Sequence, residues 1–83
     1  MVEQVIYVTT SLESRPAALF VQTASKFVSD IYMKIDNKTV NAKSIMGILS
    51  LGVLDGQEVI ILANGEDARQ AVDELKNFLT SEN

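Results

Sequence analysis

The chain has 83 residues, with seven basic against eleven acidic side chains and a formal net charge of −4 at pH 7. That length closes one modest core and no second, so a single domain spanning 1–83 is expected, and the acidic balance argues against direct binding of nucleic acid or anionic lipid. There is no cysteine and no histidine, which excludes disulfides and thiolate metal sites and leaves a zinc, haem or copper ion almost no ligands.

The first strand is read over Val2 to Thr9, β-branched and aromatic, with Ile6 and Val8 on one face and Val5 and Tyr7 on the other. It is expected to end at Thr10-Ser11. From Ser14 the period changes: Ala17, Phe20, Val21, Ala24, Phe27 and Val28 follow three-and-four spacing, as an amphipathic helix requires. Ser14 reads as its cap, and Pro16 is tolerated in the first turn, where the amide has no intrahelical acceptor.

Ile31 to Ile35 alternates again, Asp36-Asn37 offers turn chemistry and Thr39-Val40 resumes extended structure, so a hairpin of neighbouring strands is expected. Ser44 then precedes Ile45-Met46-Gly47-Ile48-Leu49, which reads as a capped helix of about two turns. Gly52 and Asp55-Gly56 break the chain before Glu58 to Ala63, whose continuous Val59-Ile60-Ile61-Leu62 run suits a central strand. The last element shows the plainest stripe: Ala68, Ala71, Val72, Leu75, Phe78 and Leu79, with Glu66 and Asp67 near the positive end of its dipole.

The order βαββαβα leaves no room for a doubly wound parallel sheet. An α+β sandwich, with helices on one face of a four-stranded sheet, is the economical architecture. No segment approaches bilayer-spanning length and no basic region leads into an apolar run at the N-terminus, so a cytoplasmic protein with no membrane partner is expected.

Without histidine or cysteine the commonest general base and the most nucleophilic side chain are missing, and no paired-carboxylate or phosphate-loop signature stands out. A binding module is therefore expected rather than an enzyme, with no cofactor and no metal.

Two segments carry a resemblance: Arg15-Pro16-Ala17-Ala18 opening the first helix, and Asn41-Ala42-Lys43-Ser44-Ile45-Met46-Gly47 opening the short one. They resemble HPr, the phosphocarrier family of the bacterial sugar phosphotransferase system, and the element order and length match it too. The Gly65-Glu66-Asp67-Ala68 opening of the last helix fits as well. The resemblance implies an open-faced sandwich with a four-stranded antiparallel sheet and three helices on one face. The family's first motif runs glycine, aliphatic, the phosphorylated histidine, small, arginine, proline, where this chain has Ser11-Leu12-Glu13-Ser14-Arg15-Pro16. Glu13 thus stands at the place of the active histidine, and phosphocarriage through an imidazole is lost.

The similarity is to Crh-type members, which lack the histidine and keep a regulatory serine; they typically carry glutamine where this chain has Glu13. What it implies is phosphorylation of Ser44 by HPr kinase/phosphorylase and binding of the modified form to catabolite control protein A, or to a metabolic enzyme, in carbon catabolite repression. Ile45, Met46 and Leu49 match the apolar contacts and Arg15 the charged one. A monomer is implied, with a fraction of homodimer formed by exchange of the first strand about Thr9-Thr10-Ser11.

The residues by themselves leave alternatives open. Ser44 reads equally as a plain helix cap. Ile45, Met46 and Leu49 read as core of an amphipathic helix or, because so short a helix buries only a narrow stripe, as an exposed patch. Glu13 is comfortable at a helix start, and its single charge imitates a phosphohistidine only in part. The other functional reading is a divergent phosphocarrier or phosphoenzyme working through Glu13 or Ser14.

Overall fold

A computed structural model describes residues 1–81 of the chain. Four strands and three helices follow one another in the expected order. β1 (Val2–Tyr7) pairs antiparallel with β4 (Glu58–Asn64), β4 with β2 (Asp30–Ile35), and β2 with β3 (Lys38–Asn41), giving the sheet order β1-β4-β2-β3. The apolar run of β4 is thus central, as its composition predicts. Hairpin geometry joins β2 to β3 through Asp36, whose φ of 53° is the left-handed conformation such a turn requires.

Helices α1 (Ser14–Ser25), α2 (Ile45–Leu51) and α3 (Ala68–Leu79) supply the other layer. The core lies between them and one face of the sheet: Ile6, Ile31, Met33, Val59 and Ile61 from the strands, with Val8 just past β1, meet Phe20 and Ala24 of α1, Ile48 of α2, and Val72 and Leu75 of α3. Phe20 and Phe78 pack edge to face at 5.6 Å between ring centroids, the arrangement the ring quadrupoles favour.

Three local expectations are corrected. β1 ends at Tyr7 rather than Thr9, because the Thr9 amide turns to donate to the Leu79 carbonyl at 2.8 Å instead of continuing the ladder. The α1 stripe stops short of Val28, which lies beyond the helix and is exposed, since Lys26 and Phe27 already close the last turn onto Thr23 and Ala24. Ser14 does not cap α1. Glu13 occupies the cap position, extended and without a side-chain bond, and Ser14 is the first helical residue with φ 51°.

Asp67 stands at the cap position of α3, yet its carboxylate does not bond that helix. It crosses to the end of α1, accepting from the Ser29 hydroxyl at 2.6 Å and from the Val28 and Ser29 amides at 3.0 Å each. Those bonds, the Ser29 hydroxyl foremost, hold the Asp67 carboxyl below the usual carboxylate range against the opposing push of desolvation. Gly65 makes the approach sterically feasible: a Cβ there would fall 2.5 Å from Ser29 Oγ, and its φ of 152° suits glycine alone.

Candidate functional site

The segment between β3 and α2 is built to present Ser44. Asn41 Oδ1 accepts from the Lys43 amide at 2.8 Å and Asn41 O from the Ser44 amide at 3.1 Å, a local turn that asparagine favours. Ala42 is fully buried and donates its amide to Ile31 O, pinning the turn to the sheet, while Lys43 Nζ donates to Phe27 O at 2.7 Å and ties it to the end of α1. Ser44 stays extended at φ −108°, and its Oγ accepts from the Gly47 amide at 3.1 Å. The cap read from the sequence is therefore present. A Cβ at Gly47 would come within 3.2 Å of Val40 Cβ, so a small residue there lets α2 close against β3.

The helix ends at Gly52, left-handed at φ 62°, whose amide donates to Leu49 O. Of the apolar side chains on α2 only Ile48 is fully buried. Met46 is 74% exposed, Leu49 44% and Ile45 38%. The choice left open by periodicity is thus settled for an exposed cluster. Leu54, just past the helix, is exposed as well; it lies in a Gly-flanked break with no periodicity to flag it.

At the far end of α2 the chain returns to the start of α1. The Leu12 amide donates to Val53 O at 2.9 Å and the Asp55 amide to Ser11 Oγ at 3.0 Å, so Glu13, Ser14 and Arg15, all exposed, emerge beside the C-terminal end of α2. Ser44 accordingly lies at the N-terminal end of the short helix, and Arg15 emerges near its C-terminal end. Among the described residues no ion pair joins Glu13 to Arg15. Nor does any group of three or more acidic side chains there converge as metal ligands.

This surface presents a half-exposed hydroxyl, an apolar ridge and, near the far end of α2, an exposed arginine. The family model described as PTS HPr component phosphorylation site matches residues 3–81. The chain belongs to the HPr family. Among its relatives, the HPr-like protein Crh of Bacillus subtilis (strain 168) is 49% identical, with 99% of each chain covered. The crystal structure of the phosphocarrier protein HPr from Bacillus anthracis superposes with a TM-score of 0.92 at 44% identity, covering 95% of this chain and 96% of that one. The crystal structure of Bacillus subtilis Crh, a domain-swapped dimer, superposes with a TM-score of 0.78 at 49% identity, covering 95% and 93%. The chain has four antiparallel strands and three helices in the family's open-faced arrangement and is similar to both HPr and Crh members.

Proposed function

We propose that this chain is a single-domain, cytoplasmic, non-enzymatic regulator in carbon catabolite control, switched by phosphorylation of Ser44. HPr kinase/phosphorylase transfers the γ-phosphoryl of ATP to Ser44 Oγ, and the modified chain then acts as co-repressor with catabolite control protein A or as effector of a metabolic enzyme. The observation that carries this reading is the placement of Ser44 Oγ at the start of a helix whose neighbours Ile45, Met46 and Leu49 face solvent.

The switch works through surface charge more than refolding. Ser44 Oγ already lies against the first turn of α2, whose amides lack intrahelical acceptors, so phosphoryl oxygens gain charge-assisted bonds there. A charge of about −1.5 to −2 then appears beside Ile45 and Met46, and the anionic and apolar patch suits a partner bearing arginine and an apolar pocket. Arg15, at the other end of α2, supplies a contact of opposite sign.

Incubation with ATP and HPr kinase/phosphorylase followed by mass-spectrometric mapping tests the first step, and titration of catabolite control protein A with modified and unmodified chain at matched salt tests the second. Modification is expected at Ser44 alone, with binding confined to the modified form. Modification at Ser14 or Ser50, or equal affinity of both forms, would defeat the proposal. The second reading, a phosphocarrier acting through Glu13 or Ser14, draws on the exposure of both and on the left-handed backbone of Ser14; a label from phosphoenolpyruvate and Enzyme I mapped to a labile acyl phosphate on Glu13, or to an acid-stable phosphate ester on Ser14, would establish it.

A further inference from the structure

The apolar run Val59-Ile60-Ile61-Leu62 is the pattern of a strand buried on both faces. The three helices cover only one. Val59 and Ile61 point into the core, so Ile60 and Leu62 lie on the open side, opposite Val5 and Lys34 in one row and opposite Glu3 and Tyr32 in the next. Tyr7 extends the patch beside Glu58 and is 67% exposed; Val5 and Tyr32 are exposed as well. An antiparallel sheet with one wet face ordinarily turns polar side chains outward. Here five apolar side chains, Val5, Tyr7, Tyr32, Ile60 and Leu62, make a contiguous centre instead, and patches of that kind mark interaction sites.

The rim says what fits. Glu3, Glu58 and Asp30 border the patch on the same face, and Lys34 is the single cation among the residues that share its rows. Two such faces brought together would set three carboxylates against three, on a chain whose net charge is already −4. A basic partner meets no such repulsion. We propose that the open face of the sheet is a second docking surface, which takes a basic and apolar segment of a partner protein: its aliphatic side chains against Ile60 and Leu62, its lysine or arginine side chains over Tyr7 and Tyr32 and toward Glu3 and Glu58. This surface lies across the sheet from Ser44 and works independently of that residue's modification.

The test is a two-dimensional amide NMR titration of the unmodified full chain with two synthetic peptides, alternating leucine-lysine and alternating leucine-glutamate, each of eight residues (about the length of the longer strands,). Saturable shifts are expected with the lysine peptide, confined to Val5, Tyr7, Tyr32, Ile60 and Leu62 and their neighbours. Ile60→Thr, which keeps β-propensity, should weaken binding by tenfold or so, about 1.4 kcal/mol at one methyl-rich contact. Glu3→Lys combined with Glu58→Lys should invert the preference toward the glutamate peptide. Equal response to both peptides, shifts mapping to α2 instead, or concentration-dependent self-association through this face that Ile60→Thr abolishes would each overturn the proposal, the last by making a second copy the occupant.

Discussion

At Ser44 one hydroxyl both caps a helix and is the proposed acceptor, and the two roles separate by mutation. Ser44→Ala removes the bond from the Gly47 amide and should lower stability by about 0.5–2 kcal/mol, read from urea unfolding. It should also abolish modification. Because the loss of stability is a fraction of what holds a domain of this size, the variant remains folded and its partner binding is interpretable. Ser44→Asp keeps a cap and one charge but lacks the second charge and the phosphate geometry, so partner affinity well below that of the phosphorylated chain is expected in the same titration.

Asp67 gives the second residue-scale prediction. Its folded pKa is depressed, so its contribution to stability is fully present above the ordinary value of 3.8 and is lost as pH falls through the lower, folded value. Urea unfolding across pH 2 to 6 (about the window in which such a carboxylate titrates,) should therefore show an acid-side loss of stability that is smaller in Ser29→Ala, where only the two amide bonds to Asp67 remain. An unchanged acid limb in that variant would show that other carboxylates govern it. Gly65→Ala meets both the positive φ and the 2.5 Å approach to Ser29, and should destabilise more than Ser29→Ala does.

At the scale of the element, α2 divides its apolar side chains among one fully buried, one partly buried and three exposed. Ile48→Ala leaves a core void and should lower stability by about 2–5 kcal/mol. Met46→Ala and Leu49→Ala alter side chains that are 74% and 44% exposed and should move stability by about 0.5 kcal/mol or less in the first case and little more in the second. Their effect belongs to binding. Titration of catabolite control protein A with the phosphorylated variants should show affinity falling at constant fold, and undiminished affinity in both would remove the ridge from the proposed interface. Length explains the division: in seven residues, with Gly47 in close approach to β3, only Ile48 is fully buried and Leu51, one turn on, is partly so.

At the scale of the molecule the question is whether β1 exchanges between copies, since the crystal structure of Bacillus subtilis Crh is a domain-swapped dimer. The hinge is held on two sides here. Thr9 donates its amide to Leu79 O, Ser11 Oγ accepts from the Asp55 amide, and Leu12 donates to Val53 O. Exchange has to break these bonds and withdraw Ile6 and Val8 from the core, so it proceeds through extensive opening of the monomer. Serine and β-branched threonine nonetheless disfavour a tight reversal and favour an extended hinge. Light scattering should show a monomer when fresh and a dimer fraction growing over prolonged storage at high concentration, faster on warming; a strict monomer throughout would exclude exchange.

Sequence by itself determined the elements and their order, because period, caps and turn residues act over a few neighbouring positions. Ile6 and Val8 alternate against Val5 and Tyr7 whatever else the chain does, and Ser44 bonds an amide three residues away. It also determined that no imidazole receives a phosphoryl group, since composition needs no fold. Tertiary structure decided everything that turns on which surface another element covers. Periodicity marks Ile45, Met46, Ile48 and Leu49 alike as apolar, but only the packing of α2 against α1 and β3 buries Ile48 and leaves the others in water. The carboxylate of Asp67 passes over its own helix for Ser29, 38 positions away, because the end of α1 brings one hydroxyl and two amides to it at once. Ile60 and Leu62 look like core in the sequence and lie on the open face because three helices suffice for only one side of four strands.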